Sequence, residues 1–394
     1  MTWKKIQVGQ LGKVVTGKTP KTKIIENFGG DIPFLTPSDD MDSKFSYTTK
    51  RTLSEMGVLE VKNQLLPKGT ICVSCIGSNL GKVVITTKPT VTNQQINSVV
   101  LSSNYDTNFI YYSLKILGEQ LKYLSKTSTA VPIINKSMFS SFEINVPSLE
   151  EQQKIGKVLS VFDEKIENNR KINHHLEQMA KAIFKEYFID LTPFDSLVPS
   201  DWQVSNLIGI ANYLNGLAMQ KHRPVDGEIG LPVMKIKELR QGFTDASSDL
   251  CSPNIRPDYI IHDGTVIFSW SGSLLVDFWT GGDCGLNQHL FKVTSEAYDK
   301  WFYYSWTKHH LDRFVQMAAD KATTMGHIKR DALEQAEVLI PNQNDYKKIG
   351  LFLEPIYDQI INNRLESRKL VSLRDSLLPK LMSGEISVTN QAAK

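Results

Sequence analysis

Cysteine is scarce in this chain: four in 394 residues, with only Cys72 and Cys75 close together. That is too few for a disulfide framework, and Cys251 and Cys284 do not complete the four ligands of a zinc site. Cys72 and Cys75 also fall in a stretch that reads as a strand, so buried thiols and no metal are expected. No apolar run approaches 18 residues, and the opening MTWKKIQV lacks the apolar core of a signal peptide, so a cytoplasmic protein with no membrane partner is expected. Neither sign of charge dominates, with 45 Lys and Arg against 42 Asp and Glu, a formal net charge of +3. Any nucleic-acid surface must therefore be local, made by gathering cations on one face.

Catalytic constellations are missing too. Gly77-Ser78-Asn79-Leu80-Gly81-Lys82 is one residue short of a phosphate loop and has Val83 where Ser or Thr would hold magnesium. No glycine-rich loop precedes an acid at dinucleotide spacing, and the Asn-Pro-Pro-Tyr type of motif found in amino-methyltransferases is absent. Asp39 and Glu60 imitate a nuclease carboxylate pair only at a spacing that recurs by chance. His174-His175 and His309-His310 fall on expected helices and read as surface or seam residues. No catalytic residue is assigned, and no cofactor is expected in the chain itself.

What is present is a long helix used twice. From Ser148 to Asp190 the positions Ile155, Leu159, Phe162, Ile166, Asn169, Asn173, Leu176, Ala180, Ile183 and Tyr187 step by fours and threes. This heptad spacing keeps one stripe against a partner helix. Ser148 and Glu151 make a capping-box pair at the front. Shifted by 194 positions, Lys154-Ile155-Gly156 falls on Lys348-Ile349-Gly350, and Asn168-Asn169-Arg170 on Asn362-Asn363-Arg364; nine of 23 positions from 154 to 176 are identical. The second stripe runs through Ile349, Leu353, Ile356, Ile360, Asn363, Leu370 and Leu377. With Ile155, Leu159, Phe162, Ile166, Asn169, Leu176 and Ile183, these form the expected interface of an antiparallel helix pair. A buried Asn needs a polar partner, so Asn169 and Asn363 suit fixing the register, although they could also tolerate water in an open seam.

The segments ahead of each helix repeat as well. LPKGTICVSCIGS from Leu66 resembles IHDGTVIFSWSGS from Ile261, and Asn93-Gln94-Gln95-Ile96 matches Asn287-Gln288-His289-Leu290. Strands are expected at 13–16, 70–76, 82–86, 98–101 and 265–270, and helices at 106–124 and 298–315. Polar loops are expected at 125–130 and 321–330. The expected fold is α+β: two tandem mixed α/β domains at 1–147 and 191–341 (with a linker at 191–201), each followed by a long helix at 148–190 and 342–384, then a loose tail at 385–394. The helices would pair with pseudo-twofold symmetry. Such an object can place two readers about 34 Å apart, one turn of DNA.

The duplicated unit, VPSLEEQQKIGKVLSVFDEKIENNRKI at the centre and IINNRLESRKLVSLRDSLLPKLMSGEI near the end together resemble the specificity (S) subunit of Type I restriction-modification enzymes, over nearly the whole chain. The resemblance implies two target-recognition domains, each reading half of a bipartite double-stranded DNA sequence, with the helices setting the spacer. It implies two methyltransferase (modification) subunits and motor-nuclease (restriction) subunits as partners, which would hold the S-adenosylmethionine, ATP and magnesium. The chain departs from a plain repeat at Pro355 and Pro379, which stand where the first helix has Val161 and Lys185; Pro355 is expected to bend the second helix or delay its start. Gly17-Lys18-Thr19-Pro20 becomes Gly216-Leu217-Ala218-Met219, so the domains are expected to read different half-sites.

DNA contacts call for cations and small polar residues on exposed loops. The candidates are Lys18, Lys21 and Lys23 with Ser78 and Asn79 in the first domain, and Lys221, His222 and Arg223 with Ser271 and Ser273 in the second; an ordinary solvated surface would carry the same residues. Two other functions compete with DNA reading: a helical scaffold that only assembles proteins, and a self-sufficient methyltransferase or nuclease.

Overall fold

The computed structural model describes residues 3–127, 133–320, 328 and 330–388. The chain divides into two compact units, Met1–Glu167 with Leu370–Lys394, and Asn168–Lys369. The two units share a strand plan. In the first, one sheet runs in the order Gly12–Thr16, Ile96–Leu101, Ile71–Ser74, Val83–Thr86, Phe45–Ser46, and another in the order Thr52–Leu53, Phe28–Leu35, Val91–Thr92. In the second, Asn212–Asn215, Leu290–Thr294, Val266–Ser269 and Leu275–Phe278 repeat the first four strands of the first order, while Leu250–Cys251, Leu231–Met234 and Cys284–Leu286 repeat the second, with Ile260–Ile261 added. Register follows: Ile71 lies opposite Val99 and Ile85, and Val266 opposite Val293 and Phe278. The middle strands Ile71–Ser74 and Val266–Ser269 are buried at every position, which is why they read as unbroken apolar runs.

A helix, Thr107–Thr127, covers the first sheet through Phe109, Ile110, Tyr112, Leu114 and Leu121. Its counterpart was expected as one helix over 298–315 but is two, Lys300–His309 and Leu311–Asp320. The break is at His310, whose ring is not on the surface. It stacks on Trp306 at 6.0 Å and pairs through Nε2 with the Glu337 carbonyl at 2.8 Å. Burial pushes its pKa down to about 4, so the imidazole is neutral inside the core. Each unit is also closed by a two-stranded clasp that the sequence reading missed: Lys4–Gln7 with Glu143–Val146, and Gln203–Asn206 with Glu337–Ile340. Of the loop expected at 125–130, residues 125–127 instead continue the helix Thr107–Thr127; the rest of it, most of 321–330 and the end of the tail lie outside the described residues.

Each clasp delivers the chain to a long helix. Leu149–Phe184 starts at Ser148, whose Oγ accepts the Glu151 N–H, and ends in a π-helical turn, Lys185–Ile189. Gln343–Met382 starts at Asn342, whose side chain accepts the Asp345 N–H. The glycine shared by the two Lys-Ile-Gly motifs has a packing reason. A Cβ on Gly156 would lie 2.4 Å from Asp106 Oδ1, and one on Gly350 would lie 3.1 Å from Trp301 Nε1, so each helix crosses the start of its own domain's covering helix there. The late start expected from Pro355 is not found: the helix begins at Gln343 and runs without a break through Pro355. The carbonyl deprived of its partner belongs to Leu351, which is 76% exposed, so water can satisfy it.

Within each unit the two helices run in opposite directions. In the first, Ile155 and Leu159 share a core with Leu378, Leu381 and Met382, and further along Asp163 pairs with Arg374. In the second, Asn169 donates to Glu366 Oε2 at 2.7 Å, Asn173 accepts from Asn363 Nδ2 at 2.8 Å, and Ala180 and Phe184 join Ile349, Leu353 and Ile356. Phe162, Ile166 and Leu370 are half-buried, Leu377 packs against the first core, Leu176 and Ile183 pack against the second, and Ile360 and Asn363 are buried. The asparagines thus meet polar partners across the seam, with Asn173 Nδ2 also donating to the Ile360 carbonyl at 3.1 Å.

Lys44 gives a pH test of the first unit. It is 7% exposed, its Nζ donates to Ser160 Oγ at 2.7 Å, and it lies over the Tyr112 ring. Burial lowers its pKa to about 8 from 10.5, against the pull of Asp163. Between those two values the unfolded chain holds a proton that the folded chain has released, so this contribution to stability rises with pH through that window and is flat below it. Wild type should therefore gain stability relative to Lys44→Met between about pH 8 and 10. Urea unfolding at both pH values measures this, and a difference independent of pH would show that Lys44 is solvated.

Candidate nucleic-acid interface

Four segments meet at one end of the sheet in each unit, through equivalent hydrogen bonds. In the first unit Gly17 N–H donates to Ile96 O at 3.1 Å, Lys18 N–H to Thr92 O at 2.9 Å, Cys75 N–H to Gln95 O at 2.8 Å, and Ile134 N–H to Cys75 O at 3.0 Å. In the second, Gly216 N–H donates to Leu290 O at 3.0 Å, Leu217 N–H to Leu286 O at 3.0 Å, Trp270 N–H to His289 O at 3.4 Å, and Ile328 N–H to Trp270 O at 3.0 Å. The strand-end loop, the post-strand turn, the Asn-Gln turn and the segment after the covering helix are thereby tied together twice. Glycine is required at the centre: a Cβ on Gly17 would lie 2.1 Å from Asn93 O, and one on Gly216 would lie 2.2 Å from Asn287 O. Side chains from this junction are positioned by backbone, which is what a recognition surface needs.

The structure distributes the candidate DNA-contacting residues unevenly. Lys18, Lys21 and Lys23 are exposed and make no ion pair among the described residues, although the Lys21 N–H donates to both Glu60 oxygens at 3.2 Å. Lys221, His222 and Arg223 are exposed, with Lys221 ending a short 3-10 turn and Arg223 close enough to Asp249 to add to the fall in its carboxyl pKa, which Lys235 dominates. Ser78 is exposed; Asn79 is half-buried and uses its amide to donate to Pro37 O at 2.6 Å. Ser273 is exposed, but Ser271 is 3% exposed and its hydroxyl pairs with His289 Nδ1 at 2.9 Å. Ser271 therefore orients a neighbour and is not itself offered to a ligand.

The look-alike motifs have structural roles. Gly77 to Lys82 forms a turn in which Gly81 abuts Gly118, and Lys82 is paired with Asp42 at 2.8 Å, so its ammonium is not held over a phosphate cradle. Asp39 accepts the Thr36 and Lys50 N–H groups, and Glu60 accepts Asn27 Nδ2, so both carboxylates pin loops. Cys72 and Cys75 are buried, and burial pushes their thiols up to about 12 and about 11. Among the described residues no three His, Cys, Asp or Glu side chains gather as a metal site, and no helix is long and apolar enough to cross a membrane.

Sequence reasoning overlooked the residues at the centre of the junction. Gln94 Oε1 accepts Thr19 Oγ1 at 2.8 Å, Trp270 Nε1 donates to Asn215 Oδ1 at 3.0 Å, and the Trp270 ring stacks on Phe291 at 5.6 Å. The sequence signal for them is the match of Asn93-Gln94-Gln95 to Asn287-Gln288-His289.

Comparison with known proteins gives this geometry a family. Residues 1–178 and 199–369 match the sequence model of the Type I restriction modification DNA specificity domain. The chain is 32% identical to the Type I restriction enzyme MjaIX specificity subunit of Methanocaldococcus jannaschii, over 98% of this chain and 94% of that protein. It is 37% identical to the HindI specificity subunit of Haemophilus influenzae over 42% of this chain and 37% of that protein. The crystal structure of a Type I restriction-modification S subunit from M. genitalium has the same fold, with a TM-score of 0.58 at 17% identity over 97% of this chain and 96% of that one. The chain therefore belongs to the Type I restriction-modification specificity family, whose members read a bipartite DNA target and leave the chemistry to other subunits.

Proposed function

We propose that the four-segment junction of each unit is the surface that faces duplex DNA, each junction reading one half of the target. The observation that carries this reading is the repetition itself: the same backbone clasp around Gly17 and Gly216, each with exposed cations on the loop that follows. Lys18, Lys21, Lys23, Lys221 and Arg223 supply phosphate contacts, which fix orientation without carrying sequence information. The target-recognition domains are taken as residues 1–147 and 191–341, and the helices 148–190 and 342–384 set the spacer between half-sites. Two methyltransferase subunits are the partners for modification, with S-adenosylmethionine bound there; motor-nuclease subunits with ATP and magnesium join for cleavage, all in the cytoplasm.

The test is an exchange of residues 1–146 for those of a relative, followed by sequencing of methylated sites in a host that also carries the methyltransferase subunit. One half-site should change and the other stay. Change in both halves, or in neither, refutes the modular reading, and a gel shift showing no sequence preference in the assembled complex would favour a scaffold. The spacer role has its own check. Removing one heptad near Asn173 should alter the tolerated gap while both half-sites persist; an unaltered gap removes the helices from that role.

A further inference from the structure

The duplication supplies an internal control. Two copies of one junction that read different half-sites cannot discriminate through a side chain they share; discrimination must come from equivalent positions that are reachable and differ. The Asn-Gln turn separates the two kinds. Asn93 and Asn287 are buried and identical, with their carbonyls against the obligatory glycines. Gln94 and Gln288 are identical and reach solvent. The next position differs, Gln95 against His289, and both are half-buried.

Both of these side chains are held in place. Gln95 has its carbonyl fixed by Cys75 N–H, its own N–H donates to Asn93 Oδ1 at 3.1 Å, and its Oε1 accepts Asn93 Nδ2 at 2.9 Å. That arrangement leaves its Nε2 hydrogens as donors. His289 has its carbonyl fixed by Trp270 N–H and its own N–H donates to Asn287 Oδ1 at 3.3 Å. Its Nδ1 pairs with buried Ser271 at 2.9 Å, which turns Nε2 toward Gln288 at 3.4 Å and leaves the ring 6.3 Å from that of Trp270, tilted by 40°. The copies thus present an amide donor in one unit and an imidazole backed by an indole in the other. Held polar groups of this kind, differing in donor and acceptor pattern, suit reading the edges of different base pairs.

We propose that Gln95 and His289 are the base-discriminating side chains of their respective units, while Gln94 and Gln288 make contacts that ignore sequence. This rests on the reading that the junction faces DNA. The experiment uses the full chain with its methyltransferase partner, methylated-site sequencing, and gel shifts on duplexes varied at each target position. Gln95→Ala and Gln95→His should each relax or change one position of one half-site, by roughly tenfold to a hundredfold in relative affinity. His289→Gln should do the same in the other half, and Gln94→Ala should weaken all sequences equally. An unchanged motif in both Gln95 variants overturns the proposal, as does a Gln95→Ala complex that loses affinity equally for every sequence. So does a wild-type target whose two halves are identical. The underlying reading fails separately, if Lys18→Glu combined with Lys23→Glu leaves DNA affinity intact.

Discussion

Asp163→Ala is expected to destabilise the first unit by about 3–5 kcal/mol in urea unfolding, the range for a buried ion pair that loses one partner. Asp163 pairs with Arg374, and the two side chains are 7% and 11% exposed. Burial alone would lower the Arg374 pKa, but the charges and hydrogen bonds of Asp163 and, after it, Asp375 outweigh it and raise the value, so the guanidinium stays charged. Tyr112 also donates its hydroxyl to Asp163. Removing the carboxylate leaves the Tyr112 phenol without its acceptor and the Arg374 guanidinium with only the half-exposed Asp375, paired at 2.8 Å, with Lys44 close by, in a core that holds Phe109, Leu159 and Leu378. Asp163→Leu combined with Arg374→Met should cost much less than either change alone, because the desolvated charges disappear together. A single-variant loss below about 1 kcal/mol would show that water reaches the pair, as at an exposed salt bridge.

That pair also marks where sequence reasoning stops. The duplication, the buried strands and both long helices were legible, because each rests on a local period or on self-similarity that needs no partner to be known. Asp163 and Arg374 are 211 residues apart, and nothing in either neighbourhood announces the other. The clasps were missed for the same reason: Glu143–Val146 alternates exposed and buried residues over only four positions, and its partner strand is at the far end of the domain. The break at His310 was hidden because the apolar stripe continues through Phe314, and only the tertiary contact with Glu337 fixes the ring inside. The late start expected from Pro355 does not occur, since propensity carries no information on whether the turn that loses its hydrogen bond lies at an exposed residue such as Leu351. At the proposed interface the cationic loops could be read from the sequence. The roles of Ser271, His289 and Gln95 could not, because they depend on which of three distant turns lie side by side.

Gly17→Ala and Gly216→Ala are expected each to cut methylation of the full target by about a hundredfold or more, which is the scale of a 1 Å displacement of a positioned group. The obstacle at Gly17 is backbone: the new Cβ would meet Asn93 O at 2.1 Å and Thr92 O at 2.3 Å. At Gly216 it would meet Asn287 O at 2.2 Å and Leu286 O at 2.5 Å. The Thr92 and Leu286 carbonyls cannot withdraw freely, because each also accepts a loop hydrogen bond, from Lys18 N–H and Leu217 N–H respectively. The strand-end loop must therefore lift away from the Asn-Gln turn, separating the cations from Gln95 in one variant and from His289 in the other. The cost in stability should be modest, about 1–3 kcal/mol as for overpacking, because the sheet cores beneath are untouched. Gly69→Ala is the control: its φ of +83° makes alanine strained, but its Cβ would meet nothing within 4 Å, and its N–H bonds Thr86 O rather than any junction segment. It should lose comparable stability and keep full methylation. Competition gel shifts should then show Gly17→Ala blind in one half-site and still discriminating in the other, with Gly216→Ala the reverse. If both variants instead weakened both halves alike, the two junctions would not be independent readers.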